Sequence, residues 1–180
     1  MKTKKNLLVI MVALIVIAPF IVGALRLDAQ TVPVIEKRIG NTVYELDTTL
    51  YYIKNKENKI TNQEYNTGSC IIEFDNEKQA HEDLLENFKT VFSKERAEEL
   101  KLWIKIFCIF DHNGQIQEIE ILFKNREDFE MFTLSEIKAI EDAAKKYRYK
   151  NLKWYNCGDS KYGRFGHPFS PYLLYFEKLK

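Results

Sequence analysis

The sequence is poor in glycine and proline and carries almost no net charge. Seven glycines and four prolines among 180 residues leave no glycine-rich phosphate loop and no proline-rich spacer. The 27 basic and 26 acidic residues give a formal net charge of +1, which argues against a nucleic-acid-binding protein. A composition of 46% hydrophobic and 29% charged residues excludes wholesale disorder. The chain is therefore predicted to contain a globular domain without nucleic acid as a partner.

Histidine is also scarce, and its spacing suggests no metal or cofactor site. His81, His112 and His167 are the only histidines, and none has a partner at metal-ligand spacing. Asp111-His112-Asn113 lacks the further oxygen ligands and distal Glu of a calcium loop, so a turn is predicted there. His81 is predicted to be solvated on a helix. We predict no metal, no cofactor and no catalytic residue.

The N-terminus indicates export. Lysines precede Leu7–Leu25, nineteen residues without a charge. A basic start, an apolar run and small residues after it are typical of a signal peptide, and the length of the run also fits a membrane anchor. Cleavage after Ala24 or after Ala29 fits, and the second site is favoured. Residues 1–29 are predicted to be a signal peptide or N-terminal anchor, with membrane contact only through residues 7–25. The rest is predicted to lie in the periplasm or at the cell surface.

Residues 30–180 are predicted to form one α+β domain. Removing residues 1–29, which hold four basic residues and one acidic residue, changes the formal net charge from +1 to −2. Three cysteines remain, and an oxidising compartment allows either one bridge with one free thiol or three buried thiols. Cys70 and Cys108 are favoured as small core residues, and Cys157 is left open.

A β-hairpin is the best-defined element. Two β-rich runs, Leu102–Phe110 and Gln115–Phe123, flank an Asn-Gly pair at 113–114. Asn-Gly favours a tight turn in which both central residues have positive φ. With this turn, Cys108 faces Ile119, and the apolar residues of one face meet one another across the two strands. The hairpin therefore has one dry face that helices can cover.

The second face of the hairpin carries two carboxylates on one strand. Glu118 and Glu120 share that face because they lie two residues apart. Paired carboxylates can serve glycoside hydrolysis, but Lys105 and Lys101 are expected to neutralise this pair across the hairpin. We favour a structural salt ladder over a catalytic pair.

The remaining elements complete an antiparallel sheet with two helices packed on one face. Predicted strands are Thr42–Leu46, Leu50–Ile53, Ser69–Phe74 and a closing strand at Tyr172–Phe176. A helix over Asn76–Phe92 is predicted to follow a cap at Asp75, a short helical turn is predicted at Lys94–Glu99, and a second long helix starts at the Thr133–Glu136 capping box. Gly158–Pro171 is predicted to be a loop.

Residues 100–150 resemble the carboxy-terminal domain of the TonB energy-transducing family. The resembling residues are Ile104, Ile106 and Cys108, then Asp111, Gly114 and Ile116, then Leu134, Glu136, Ile137 and Ile140. Similar small exported proteins occur in gut Gram-negative anaerobes. The match covers 51 of the 180 residues, and the chain lacks that family's proline-rich spacer and the Pro-Gly after the helix. The resemblance implies a sheet-and-helix topology and a cell-envelope setting, without energy coupling.

The aromatic tail supplies the candidate binding residues: Trp154, Tyr155, Tyr162, Phe165 and His167. Such side chains can line a groove for a sugar or peptide, or fill the core. We predict an exported envelope binding or interaction module without catalytic activity, whose partner is an envelope protein or glycan. The alternative is a small secreted hydrolase that uses the aromatic loop 154–172, with Cys157 and His167 as a nucleophile pair.

Overall fold

We describe the protein from a computed structural model that covers residues 34–61, 64 and 70–176. The predicted signal peptide or anchor, residues 1–29, lies outside the described residues. The strands are β1 Val34–Ile39, β2 Thr42–Asp47, β3 Tyr52–Asn55, β4 Ile71–Phe74, β5 Ile104–Asp111, β6 Ile116–Phe123, β7 Leu152–Tyr155 and β8 Tyr162–Phe169. The helices are α1 Glu77–Phe88, α2 Lys94–Glu99, α3 Arg126–Glu130, α4 Leu134–Lys145 and α5 Leu173–Phe176.

Six strands form one antiparallel sheet in the order β1-β2-β3-β6-β5-β8. Strands β4 and β7 form a separate antiparallel pair. The α+β class and the antiparallel sheet predicted from the sequence are confirmed. Strand β8 is therefore one of the two edge strands of the main sheet.

The predicted hairpin register is confirmed, but its turn is different. Cys108 pairs with Ile119, and the ladder then shifts by one residue between Ile109 and Phe110. Of the two central turn residues, Asn113 and Gly114, only Gly114 has positive φ, at 80°, so the turn is not the predicted one with both residues in that region. The side chain of Asp111 holds the turn by accepting the backbone N–H groups of residues 113 and 115. The predicted position of the turn, at 111–113, is thus confirmed. Its conformation differs from the prediction, because a bulge between Ile109 and Phe110 adds one residue to one of the two strands.

Two helices cover the dry face of the main sheet, as predicted. Helix α1 buries Leu84, Leu85 and Phe88, and helix α4 buries the face that includes Ile137 and Ile140. The α1 boundaries are corrected, because Asn76 rather than Asp75 is the cap and the helix ends at residue 88 rather than 92. The predicted capping box of α4 and the short helix at 94–99 are both confirmed.

The carboxylates on the other face of the hairpin have different partners from those predicted. Glu118 is buried and accepts the backbone N–H groups of Lys59 and Ile60, at 2.6 and 3.1 Å. Glu120 accepts two hydrogen bonds from the guanidinium of Arg164, at 2.8 and 3.1 Å. The predicted ladder with Lys105 and Lys101 is wrong because the segment after β3 and strand β8 both reach this face.

Two predictions for the C-terminal tail are wrong. The predicted loop 158–171 contains the eight-residue strand β8, and the predicted closing strand 172–176 contains helix α5. Glycine is required in β8 because a Cβ at Gly163 would lie 2.4 Å from Ile72 and 2.7 Å from Phe110. Gly163 therefore allows close packing within a strand and does not mark a flexible loop.

The cysteines form one disulfide and one buried thiol. Cys70, just before β4, is bonded to Cys157, just after β7, so the bridge joins the two strands of the small sheet. Cys108 is free and fully buried. The preference for Cys70 as a core thiol is therefore wrong, whereas the one for Cys108 is confirmed.

No helix among the described residues combines the length and apolar character that would be needed to cross a membrane.

Candidate functional site

The five predicted binding residues lie on two strands and do not form one surface. Trp154 and Tyr155 lie on β7, while Tyr162, Phe165 and His167 lie on β8. Tyr155 is exposed and pairs with Ile71 of β4, which is exposed as well. Phe165 and His167 point to the same face of β8, with ring centroids 4.9 Å apart. The structure thus brings together only two of the five residues, at one place on the sheet edge.

Trp154 contributes to packing between the small sheet and the end of the hairpin. Its ring lies 4.1 Å from that of His112 and 6.0 Å from that of Phe110, measured between centroids. The indole N–H is buried and has no hydrogen-bond partner within the described part of the chain. The neighbouring His112 has a structural contact of its own, since its Nε2 lies 2.8 Å from the carbonyl oxygen of Ser160.

His167 forms a hydrogen-bonded pair with His81. The two Nδ1 atoms are 2.9 Å apart, and the ring planes differ by 5°, so the imidazoles are almost coplanar. His81 lies on α1 and is half-buried, whereas His167 on β8 is fully buried. The expectation that His81 is solvated is wrong, because its ring lies on the same stripe of α1 as the core residues Leu84 and Leu85.

The pair continues inward as a chain of buried polar groups. The hydroxyl oxygen of Tyr149 lies 2.5 Å from Nε2 of His167. The hydroxyl of Tyr149 and the thiol of Cys108 are close enough to affect each other's pKa. Three side chains from α1, β8 and the segment after α4 therefore form one hydrogen-bonded path from a half-exposed imidazole to a buried hydroxyl, and the Cys108 thiol of β5 lies beside its inner end.

The three groups of this chain and the neighbouring Cys108 thiol are held in their neutral forms near neutral pH. Burial lowers the pKa of His167 to about 3, and the nearby His81 acts in the same direction. Burial also lowers the pKa of His81, although Glu82 and Glu77 oppose this shift. Burial raises the pKa of Cys108 to about 12, and it raises the pKa of Tyr149 as well. The chain is thus a set of uncharged donors and acceptors.

A pocket of about 390 Å³ opens beside the histidine pair, and we call it the histidine pocket. Its lining residues are Glu77, Lys78, His81, Phe165, Gly166, His167 and Pro168. It lies between the first turn of α1 and the edge strand β8. Two predicted site residues, Phe165 and His167, take part in it. Tyr155, Trp154 and Tyr162 do not line it.

The predicted Cys157–His167 nucleophile pair is wrong. The sulfur of Cys157 is bonded to Cys70 and is not a thiol. His167 is fully buried, and its two ring nitrogens form hydrogen bonds with His81 and Tyr149. An activated nucleophile needs a free thiol or hydroxyl next to an available base, and neither condition holds at these two residues.

Within the described ranges, no three His, Cys, Asp or Glu side chains gather as a metal ion would require. The histidine pocket supplies two imidazole rings and one carboxylate, Glu77, at its rim.

Two side chains of the candidate site, His81 and Tyr149, are missed by the sequence reasoning. His81 was recoverable, since it precedes Leu84, Leu85 and Phe88 by three, four and seven residues, which is the spacing of one helix face. Tyr149 carries no such signal, because it lies between α4 and β7 and reaches the chain only through tertiary packing. The same holds for the pairing of two histidines that are 86 residues apart.

The fold is similar to that of a DUF5043 family protein from Bacteroides uniformis ATCC 8492, known from its crystal structure. The two share a TM-score of 0.59 and 18% sequence identity over 77% of this chain and 92% of that chain. No family profile matches this chain, and no curated protein matches it. At this identity the similarity concerns the fold alone. It gives no support to the TonB resemblance.

Proposed function

We propose that the protein is an exported binding module of the cell envelope, and that the histidine pocket takes its ligand. The observation that carries this proposal is the meeting of neutral polar atoms and apolar walls in one cavity. Pockets of this size with a few convergent polar groups are common ligand sites. Phe165 and Pro168 supply apolar surface, and His81 supplies the accessible polar ring.

Export is supported by the disulfide and by the N-terminal sequence. The bond between Cys70 and Cys157 persists in an oxidising compartment and is rare in the cytosol. Lysines followed by the uncharged run Leu7–Leu25 are typical of an export signal. Cell fractionation followed by intact mass measurement tests both points. We expect the exported form to carry one disulfide and either to lack residues 1–29 or to remain membrane-anchored.

Binding is tested by co-sedimentation of the purified exported protein with cell-envelope fragments from the organism that produces it. We expect saturable binding that His81→Phe weakens, because this variant keeps a ring but removes both ring nitrogens. Tyr155→Ala is the matched control, since it removes an exposed aromatic residue outside the pocket.

The result also distinguishes the two groups of predicted site residues. Loss of binding in Tyr155→Ala with full binding in His81→Phe would move the site to the small sheet and contradict the pocket. Absence of binding to any envelope fraction, with both variants folded, would contradict the proposed function itself.

A further inference from the structure

We propose that the ligand of the histidine pocket is a neutral sugar unit of an envelope glycan, and that His81 binds one of its hydroxyl groups. This inference rests on the proposed function and names the ligand class of the same site. It follows from the proton count of the hydrogen-bonded chain and from the charge and shape of the pocket.

One proton lies between the two histidines. Each neutral imidazole carries a single N–H, and the two Nδ1 atoms face each other at 2.9 Å. If the shared proton is on His81, Nε2 of His81 has a free lone pair. If the proton is on His167, the N–H of His81 lies at Nε2. The position of one proton therefore decides whether Nε2 of His81 accepts or donates a hydrogen bond.

Both ring nitrogens of His167 stay hydrogen-bonded in the two arrangements. In the first, Nε2–H of His167 donates to the hydroxyl oxygen of Tyr149. In the second, the hydroxyl of Tyr149 donates to Nε2 of His167. Neither arrangement creates a charge. The shared proton can thus change sides without leaving a buried ring nitrogen of His167 unpaired.

The ligand group that fits such a ring is a hydroxyl, because a hydroxyl both donates and accepts. Nε2 of His81 has no partner among the described residues, and the half-buried ring lines the pocket. Neutral imidazoles give little attraction to an anion. Glu77 and Lys78 bring opposite charges to the rim, so a charged ligand gains no net attraction there.

The apolar walls of the histidine pocket match one face of a sugar ring. Phe165 and Pro168 present apolar surface on one side of the pocket, opposite the first turn of α1. A pyranose has an apolar face of C–H groups and a periphery of hydroxyls, which match the apolar wall and the imidazole. A pocket of about 390 Å³ also has room for a ligand of this size.

The test uses nitrogen NMR of the histidine side chains in the full exported protein. Free N-acetylglucosamine, glucose, galactose and mannose are the probes, and sulfate is the charged comparison. We expect at least one sugar to shift the ring nitrogens of His81 and His167 in a saturable way. His112 is the internal control, because it lies outside the pocket and its signals should not move.

A competition experiment separates this inference from the proposed function. The active sugar should displace the protein from envelope fragments, and His81→Phe should weaken sugar binding about two- to tenfold, as the loss of one hydrogen bond implies. If the envelope binds but no sugar shifts the histidine signals, the sugar assignment is wrong and the binding function stands. If sulfate shifts them and no sugar does, the ligand is an anion and the inference is overturned.

Discussion

His167 places an imidazole in the core of the protein, where no part of the residue is exposed to solvent. Protonation there would bury a charge beside the neutral His81, Tyr149 and Cys108, whereas the carboxylates of Glu77 and Glu82 act on His81. The pKa of His167 is accordingly lowered to about 3, while the unfolded chain retains the ordinary value of about 6.5.

We therefore expect acid to destabilise the protein through this residue. Between pH 6.5 and pH 3 the unfolded state binds a proton that the folded state excludes, so the free energy of unfolding falls as the pH falls. The loss from pH 7 to pH 4.5 is about 3 kcal/mol at most. Urea unfolding at both pH values measures it. His167→Phe should show a smaller difference between the two pH values, and an unchanged difference would contradict this prediction.

Gly114 is required by both conformation and space. It has φ of +80°, and a Cβ there would lie 2.1 Å from the carbonyl oxygen of Tyr149. Gly40 also has positive φ, at +55°, but a Cβ at Gly40 would meet no atom within 4 Å. We expect Gly40→Ala to cost about 1 kcal/mol of unfolding free energy and Gly114→Ala clearly more, because only the second adds a clash with the backbone. Equal losses in urea unfolding would contradict this reading.

At the level of elements, local patterns were sufficient for the hairpin and for the two long helices. The pairing of Cys108 with Ile119 follows from alternation on both sides of one short turn, and α4 starts at a capping box. Strand β8 was missed because Gly163, Gly166 and Pro168 usually mark loops. Here they lie on an edge strand, which tolerates proline, and neighbouring side chains fill the space where each glycine's Cβ would be.

Helix α4 is attached to the sheet by a buried carboxylate. Glu141 is 3% exposed and accepts hydrogen bonds from the hydroxyl of Tyr44 on β2 and the amide of Asn55 on β3, as well as an ion pair from Lys145. The neighbouring Asp142 is exposed and forms an ion pair with Lys138 on the helix surface.

Replacing these two acids should separate buried from exposed interactions. We expect Glu141→Ala to lower the free energy of unfolding by about 3 to 5 kcal/mol, because it leaves buried donors and Lys145 without their acceptor. Asp142→Ala should cost less than about 1 kcal/mol, as exposed ion pairs do. Urea denaturation of both variants gives the comparison, and similar costs would show that the buried cluster adds nothing beyond an exposed pair.

At the scale of the whole molecule, the candidate site depends on contacts that no local pattern contains. His81 and His167 are 86 residues apart and meet because α1 packs next to the edge strand β8. Sequence reasoning selects His167 and Phe165 as aromatic tail residues. It misses that the hydrogen-bonded chain from His81 to Tyr149 gathers side chains from three parts of the fold. Periodicity can place a residue on a face, but only the order of strands in the sheet decides which faces meet.

The disulfide acts on the same scale, since Cys70 and Cys157 are separated by 87 residues. In the chain-entropy account, a bridge that closes a loop of this length restricts the unfolded chain and stabilises the fold by about 4 to 5 kcal/mol. We expect the double variant Cys70→Ala/Cys157→Ala to unfold at clearly lower urea concentration than the wild type.

Thiol reactivity provides the control for that measurement. The native wild type should show no reactive thiol, because Cys108 is fully buried and its pKa is raised to about 12. In denaturant without reductant one thiol per chain should react, and with reductant three. Three reactive thiols in unreduced denatured protein would show that the bridge is absent. In that case the double variant should match the wild type in its free energy of unfolding. The disulfide would then no longer support export.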